Sequence, residues 1–473
     1  MIEFYNPILD TDSYKFSHWL QYPPGTEYVY SYIESRGGAY DETLFFGLQY
    51  FIQKYLEEPL EAKHIYGAKE FCAAHGTPFN EEGWWKLYKK YEGRHWPILI
   101  RAVPEGSIVP TGNVLVDIVN TDPEFPWLTS FFETKLLRAV WYPTTVASRD
   151  LKIFRTIHKY MEETADEEAM AGIGFKHNDF GARGASSAET AEIGGMAHLI
   201  MFRGTDNVLA VRAANMYYKE PMAGFSIPAA EHSTMTSWGG REGEPKAMAN
   251  MVSQFGKPGA LIACVSDSYD IYNAVENLWG DEPLLSQVKE SGATVVIRPD
   301  SGDPVQVTYE VISKLMDKVG CKVNSKGYKM LPSYYRIIQG DGVNENSITA
   351  ILENLKKHKI SADNIAFGMG GAMLQQLDRD TLKFAMKCSA ICVNGEWRDV
   401  FKDPVTDHGK HSKKGRLNLY KDENGYRTVR QDDLIPWSDK GLSVLNPVYK
   451  DGKQFLDTFA NIRDRAVREL FPK

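Results

Sequence analysis

Ile297-Arg298-Pro299-Asp300-Ser301-Gly302 closes an apolar run that starts at Thr294, so a hydrophobic stretch ends abruptly in a cation, a carboxylate and a glycine. That pattern reads as a buried strand whose carboxyl end opens onto a polar loop. It recurs at Leu261-Ile-Ala-Cys-Val-Ser-Asp267, at Tyr335-Arg-Ile-Ile-Gln-Gly-Asp341-Gly342 and at Asn364-Ile-Ala-Phe-Gly368-Met-Gly370-Gly371. The runs begin roughly 30 to 40 residues apart, the length of a strand, a crossover helix and two loops, which implies parallel strands. The segments between them carry helical apolar spacing over Tyr269 to Leu278, Val305 to Val319 and Asn346 to Lys356, and Ala188 to Leu199 precedes them. A barrel or a doubly wound sheet follows, and in either one ligands bind at the carboxyl ends of the strands.

Outward from this region the pattern changes. Toward the amino terminus, up to about Asn120, aromatic helical patches (Phe45 to Tyr55, Trp84 to Tyr91) mix with strand-like pieces at Tyr28 to Ile33 and Asn113 to Val119. This predicts an α+β domain. Helical spacing resumes over Trp127 to Val140 and Ser148 to Ala165, while short strands and a basic loop follow Lys387. At 473 residues the chain exceeds what one core usually supports. The 54 Lys and Arg against 62 Asp and Glu give a formal charge of −8, so neither nucleic acid nor an anionic membrane is an expected partner. Five scattered cysteines argue for a reducing compartment, and no apolar run approaches the ~20 residues that span a bilayer, so a cytoplasmic location is expected.

The strand-end residues define the available chemistry. Gly340, Gly342, Gly368, Gly370 and Gly371 either let backbone amides approach a phosphate or simply make tight turns. Arg183, Arg298, Arg336 and Arg379 suit a diphosphate, with ordinary ion pairing as the competing role. Asp267, Asp270, Asp300 and Asp341 suit ribose hydroxyls or water-mediated Mg²⁺, and helix capping is the alternative for Asp267 and Asp270. His232, in Pro228-Ala-Ala-Glu231-His232-Ser233-Thr234, is placed either as a nucleophile or proton carrier or as a structural histidine. Phe180, in Asp179-Phe180-Gly181-Ala-Arg183-Gly184, either stacks on a flat ligand or packs in a core.

Taken together these motifs resemble the type II phosphoribosyltransferases, in the nicotinamide-specific branch of a group that also takes nicotinate and quinolinate. The resemblance runs through nearly the whole chain: Thr11-Asp12-Ser13-Tyr14-Lys15, Gln21-Tyr-Pro-Pro, Val103-Pro-Glu-Gly, Asp179-Phe-Gly-Ala-Arg-Gly, Pro228 to Thr234, Ser266-Asp-Ser-Tyr-Asp270, Arg298 to Gly302, Ile338 to Gly342 and Phe401-Lys-Asp-Pro-Val. It implies an irregular TIM-like α/β barrel over residues 140–384, and an α+β domain made of residues 1–139 with the C-terminal segment 385–473 packed on it. The implied reaction joins nicotinamide to phosphoribosyl pyrophosphate, gives nicotinamide mononucleotide and pyrophosphate for NAD salvage, and is coupled to ATP hydrolysis with Mg²⁺ as cofactor.

The same resemblance assigns roles. His232 becomes the phosphorylated histidine with Glu231 as its orienter, and Arg298 and Asp300 join them in the catalytic set. Asp300 and Asp341 face the ribose, Asp300 also reaching Mg²⁺ through water. Phe180 and Tyr14 sandwich the pyridine, Tyr14 coming from a partner subunit, with Asp206, Arg298 and Asp12 around it; Asp206 accepts the carboxamide hydrogen bond and would repel the nicotinate carboxylate. Arg183, Ser266, Asp270, Gly340, Gly370 and Gly371 serve phosphate groups. Arg36, Arg379, Lys387, Lys402 and Lys410 add charge across a homodimer interface with shared sites. Two departures from the family pattern, Asn178 for His and Ala385 for Ser, touch the phosphate region.

Overall fold

The computed structural model describes residues 5–406, 411–433 and 441–471. The chain divides into two compact units, one of residues 149–215 and 221–377, the other of residues 1–148, 216–220 and 378–473. The expected boundaries at 139/140 and 384/385 therefore differ from these by several residues, and the first division falls inside the helix Glu133–Thr164.

The first unit is an α/β barrel. Six strands, β1 (His177–Asp179), β2 (Gly204–Thr205), β3 (Leu261–Val265), β4 (Thr294–Arg298), β5 (Tyr335–Gln339) and β6 (Ile365–Met369), form one sheet in the order β2-β1-β6-β5-β4-β3. Every pairing in it is parallel. Helices occupy the crossovers: Pro304–Val319 and Glu345–Lys357 each carry one apolar stripe toward the strands, whereas Ala188–Met201 is buried all round from Gly194 to Met201.

Closure is made by a segment too short to count as a strand. Phe225 exchanges hydrogen bonds with the β2 edge (Phe225 N to Arg203 O, 2.7 Å; Thr205 N to Phe225 O, 2.9 Å). Three to five residues later the same segment meets the β3 edge (Ala263 N to Pro228 O and Ala230 N to Ala263 O, both 2.9 Å). The seven staves then run round the barrel in chain order, and neither edge is left bare.

Strand alternation fills the interior. Ala263, Val296 and Ile338 pack into a small cluster with Ile227, Ala366 and Phe180, one residue from each of six staves. Their neighbours Ile262, Cys264, Val295, Ile297, Ile337 and Phe367 are buried as well, on the opposite face of the strands. Both faces of a parallel sheet are covered, which is why the strands read as unbroken apolar runs.

The second unit is built on a seven-stranded sheet in the order 396–399, 384–393, 26–35, 114–120, 98–102, 446–450, 453–454. Segments from both ends of the chain interleave: Thr26–Ser35 pairs antiparallel with Phe384–Val393 on one side and with Val114–Asn120 on the other. Helices pack on it around a core that includes Trp84, Trp96, Trp127 and Phe132. The expected break between two helices near residues 140–148 does not occur, because Pro143 sits inside the continuous helix Glu133–Thr164. Gly47, in the left-handed region at φ +104°, lies against the Pro143 ring, where an added Cβ would stand 2.3 Å from Cγ. Among the described residues no helix is long and apolar enough to cross a membrane.

Candidate active site

In the barrel unit the four strand ends converge as expected, and the closing segment brings His232 to them. His232 begins the short helix His232–Thr236 directly after Ala230 has bonded to β3. Its Nε2 lies 3.0 Å from Asp267 Oδ1, with the imidazole about half exposed and the carboxylate buried. Asp267 Oδ2 accepts from the Asp300 amide (3.0 Å) and the Ser301 hydroxyl (2.5 Å). One carboxylate thus holds the histidine and the turn after β4 together. Burial works to raise the Asp267 carboxyl, but the bonds from Ser301, His232 and the Asp300 amide outweigh it and hold it below its ordinary value.

Glu231 does not orient His232. It caps the helix: its side chain takes the Thr234 amide and the Ser233 hydroxyl, while its own amide donates to Thr234 Oγ1 at 3.2 Å. A residue adjacent in sequence to a helix-starting histidine is placed to cap, whereas one from the next strand faces the ring.

The Ser266 side chain, expected among the phosphate ligands, turns away from the strand ends. It is buried with its hydroxyl donating to Cys264 O and accepting from Trp279 Nε1, both 3.0 Å. With Ala263 facing inward, alternation sends Cys264 and Ser266 outward and Asp267 toward the site. Asp270 is an N-cap, its Oδ1 taking the amides of Tyr272 and Asn273 at 3.0 Å each. Arg336 is likewise spent, on the Pro332 and Tyr335 carbonyls (3.1 and 2.7 Å) and, at 3.6 Å, on Asp363.

Asp300 and Arg298 stay at the strand ends. Arg298 Nη2 is 3.6 Å from Asp300 Oδ2, and its buried Nε has no hydrogen-bond partner among the described residues. An added Cβ at Gly340 would meet Asp300 Oδ1 at 3.2 Å, so a glycine at the end of β5 lets the two loops close up. Asp341 follows it, exposed.

Phe180 enters from the end of β1, its amide bonded to Met369 O at 2.9 Å. Its ring lies directly over Gly368, where an added Cβ would stand 2.0 Å from Cε2. That contact requires glycine. The following turn places the exposed Arg183 beside the loop after β6: Gly184 would carry a Cβ only 2.8 Å from the Gly371 Cα. At Gly370 a Cβ would meet nothing within 4 Å, and the residue stands at the start of the helix Gly371–Gln375.

Asp206 follows β2, its amide bonded to Asp179 O at 2.9 Å, the carbonyl just before Phe180. One of its oxygens accepts from the Ser226 hydroxyl at 2.6 Å. Ser226 was not foreseen; the alternating Phe225-Ser226-Ile227 before Pro228 is the signal that marks it as a short stave with one polar residue. Beneath, Asp179 is fully buried between Gly181 N (2.7 Å) and Asn207 Nδ2 (2.9 Å). Behind β1 and β2, His198 links Asp150 Oδ2 (2.9 Å) to Gly204 O (3.0 Å). Asn178, one of the two departures, donates to Phe367 O at 3.0 Å.

In the other unit, four of the five expected cations stand close to one another. Burial pushes Lys387 down, and Arg36, Lys402 and Arg379 add to that by repulsion, with Glu133 opposing. The buried Arg36 Nε has no hydrogen-bond partner among the described residues and lies 3.8 Å from Glu34. Lys410 lies outside the described residues. Tyr14 is 57% exposed on the short 3₁₀ helix Ser13–Leu20, and Asp12 before it accepts from Thr134 Oγ1 at 2.6 Å.

Residues 175–435 match the family model described as the nicotinate phosphoribosyltransferase (NAPRTase) family, and residues 6–100 match that of the nicotinamide phosphoribosyltransferase N-terminal domain. The chain is 50% identical over 464 residues to the nicotinamide phosphoribosyltransferase of Xanthomonas campestris pv. campestris (strain 8004), covering 98% of both chains. It is 31% identical over 502 residues to that of Acinetobacter baylyi (strain ATCC 33305 / BD413 / ADP1), again covering 98% of both. Among solved structures, nicotinate-nucleotide pyrophosphorylase from Pyrococcus furiosus superposes with a TM-score of 0.63 at 14% identity, over 99% of this chain and 97% of that one. Human nicotinic acid phosphoribosyltransferase gives 0.56 at 17%, over 97% and 93%. These two share the fold.

Proposed function

Because the chain belongs to the nicotinate phosphoribosyltransferase family, we propose that it transfers the phosphoribosyl group of phosphoribosyl pyrophosphate to nicotinamide, as a step of NAD salvage. The observation that carries the choice of pyridine is Asp206. Its carboxylate holds Ser226 with one oxygen, and its backbone amide is bonded to Asp179 O, the carbonyl just before Phe180. A carboxamide N–H donates to such a carboxylate, whereas nicotinate brings a like charge to it. The family model is named for the nicotinate enzymes, so the competing substrate is explicit. Initial rates with each pyridine and phosphoribosyl pyrophosphate test the reading: nicotinamide is expected to be used with the higher kcat/KM, and a preference for nicotinate overturns it.

In the proposed reaction the pyridine nitrogen attacks C1 of the ribose while the bond from C1 to the pyrophosphate oxygen breaks, giving nicotinamide mononucleotide and pyrophosphate. Positive charge develops on the sugar and negative charge on the leaving group. Arg298, whose Nε has no partner among the described residues, and Arg183 are suited to the departing pyrophosphate. Asp300 and Asp341 are suited to the ribose hydroxyls, and the amides following Gly370 to the 5′-phosphate. Phe180 lines one face of the ring, and cation–π attraction favours the pyridinium product. Mg²⁺ would be held by Asp300 through water alongside phosphate oxygens, where it would screen the pyrophosphate charge.

We further propose that ATP phosphorylates His232. With Nε2 bonded to Asp267, Nδ1 is the nitrogen left to attack the γ-phosphorus; ADP leaves, and water later releases phosphate from the histidine. In the same reading the protein acts as a homodimer, with Tyr14 and the cations Arg36, Arg379, Lys387, Lys402 and Lys410 supplied to the site of a second copy. Incubation with γ-labelled ATP is expected to give an acid-labile label that His232→Ala abolishes; label retained in that variant overturns the assignment.

A further inference from the structure

Asp179 ends β1 one residue before Phe180 and is held from several directions. Its carbonyl accepts from the Asp206 amide at 2.9 Å, its Oδ1 from the Gly181 amide at 2.7 Å, and its Oδ2 from Asn207 Nδ2 at 2.9 Å. Phe180 is thus flanked by anchored residues on both sides, and the Asp179 carbonyl ties it to Asp206. Asp179 is fully buried and Asn207 is 1% exposed.

Asn207 stands directly before the helix Val208–Tyr218, where its Oδ1 accepts from the Ala210 amide at 3.3 Å. Helix capping explains that oxygen, and Asp or Ser would cap as well as Asn does. Capping does not explain the nitrogen. Nδ2 carries two hydrogens and gives one to Asp179 Oδ2 and the other to Ala191 O, each at 2.9 Å. A glycine makes the room: an added Cβ at Gly195, in the helix Ala188–Met201, would stand 2.4 Å from Asn207 Nδ2 and 3.0 Å from Asp179 Oδ2.

We propose that Asn207 is a positioning residue for pyridine recognition: acting through Asp179, its side-chain amide holds the backbone of Phe180 and Asp206 in one register, so that the aromatic face and the carboxylate meet the same ring. Asn207 itself touches no substrate. The proposal rests on the roles given above to Phe180 and Asp206. Burial raises the Asp179 carboxyl; His198 and the Asn207 and Gly181 amides oppose that rise, and Asp150 adds to it. Without Nδ2, a buried carboxylate oxygen loses its donor and recovers one only by moving.

Two substitutions that keep the helix cap separate this role from a structural one. Asn207→Ser caps the helix without an amide: KM for nicotinamide is expected to rise about tenfold and the ratio of kcat/KM for nicotinamide over nicotinate to fall at least about threefold, while KM for phosphoribosyl pyrophosphate changes less than about twofold. Asn207→Asp replaces the donor by a second carboxyl, and two carboxyls so close cannot both ionise. While the pair holds one proton, an O–H donor spans it as the N–H does; once that proton leaves, two anions face each other. Relative to the unaltered protein at the same pH, KM for nicotinamide in Asn207→Asp is therefore expected to lie within about threefold at pH 6 and to rise by more than about tenfold at pH 9.

An unchanged nicotinamide KM or equal rises in both KM values in Asn207→Ser, or a pH-independent ratio in Asn207→Asp, overturns the proposal. Either variant decides if the other fails to fold, and loss of the folded protein in both overturns it too, because the contact is then a structural one. A preference for nicotinate in the unaltered protein strikes the substrate assignment instead; the change from unaltered protein to variant reads the role of Asn207.

Discussion

Asp267 holds His232 with one carboxylate oxygen, at 3.0 Å, and the turn Asp300-Ser301 with the other. The histidine and the proposed ribose-binding loop therefore share one anchor. Asp267→Asn keeps the shape but removes the charge and one acceptor, so histidine and turn no longer have equivalent partners. Labelling of His232 by ATP is expected to fall about 100-fold, with ATP-independent transfer falling less. Unchanged labelling would show that Asp267 does not orient the ring.

The carboxylate of Asp206 is expected to set the choice of pyridine. Asp206→Asn should cut the ratio of kcat/KM for nicotinamide over nicotinate by about tenfold or more, the equivalent of about 1.4 kcal/mol. Ser226→Ala, which removes the hydroxyl on Asp206, should shift the ratio in the same direction by less. A ratio unmoved by Asp206→Asn places discrimination elsewhere.

Gly368 tests the position of Phe180. Because an added Cβ would stand 2.0 Å from the ring, Gly368→Ala must move it. We expect KM for nicotinamide to rise about 10- to 100-fold, a loss of about 1.4 to 2.7 kcal/mol, with KM for phosphoribosyl pyrophosphate nearly constant. Steady-state kinetics with each substrate varied separately reads the split.

Arg149 braces the two glycine loops from behind. Its guanidinium donates to Ala372 O and Gln376 O, both 2.7 Å, and to Glu345 Oε1 at 3.1 Å, so it ties the helix after β6 to the helix after β5. Arg149→Lys cannot make this three-way fork. KM for phosphoribosyl pyrophosphate is expected to rise about tenfold while that for nicotinamide changes less than about twofold; equal changes in both would indicate general loosening.

The buried Asp150–His198 pair sets a pH signature for stability. Burial alone would raise Asp150, but His198 and His177 hold it down at about 2. Burial would lower His198, but Asp150 raises it. The depressed carboxyl contributes stability above its unfolded value of about 3.9 that is lost as pH falls toward 2, about 2 kcal/mol in all. The raised imidazole contributes below about 6.5 and loses that contribution as pH rises through its folded value. Denaturant midpoints are expected to drop at both ends, and in Asp150→Asn the acid limb between pH 4 and 2 should flatten.

Much of the barrel is legible along the chain because its signals are local. An apolar run of strand length, a polar tip and a helical stripe each depend on neighbours a few residues away, so β3 to β6, the helices between them and the Asp and Gly residues at their ends are readable one segment at a time. The helix through Pro143 shows the converse: local preference predicts a break, and packing around Gly47 accompanies a helix that runs through.

The sequence by itself determined a parallel α/β core, the strand ends that carry its chemistry, and the family resemblance those residues make. Tertiary structure alone decided how the barrel closes, since residues 225–230 touch each edge for only two hydrogen bonds and alternate over just three residues, Phe225-Ser226-Ile227, before Pro228 interrupts them. It decided that Asp267 rather than Glu231 faces His232, and that Ser266 turns away, because the phase of alternation is known only once Ala263 is seen to face inward. It gathered Arg36, Arg379, Lys387 and Lys402, which stand up to 366 positions apart, around one another. Periodicity is set by neighbours along the chain; which face a side chain presents, and to whom, is set by packing across it.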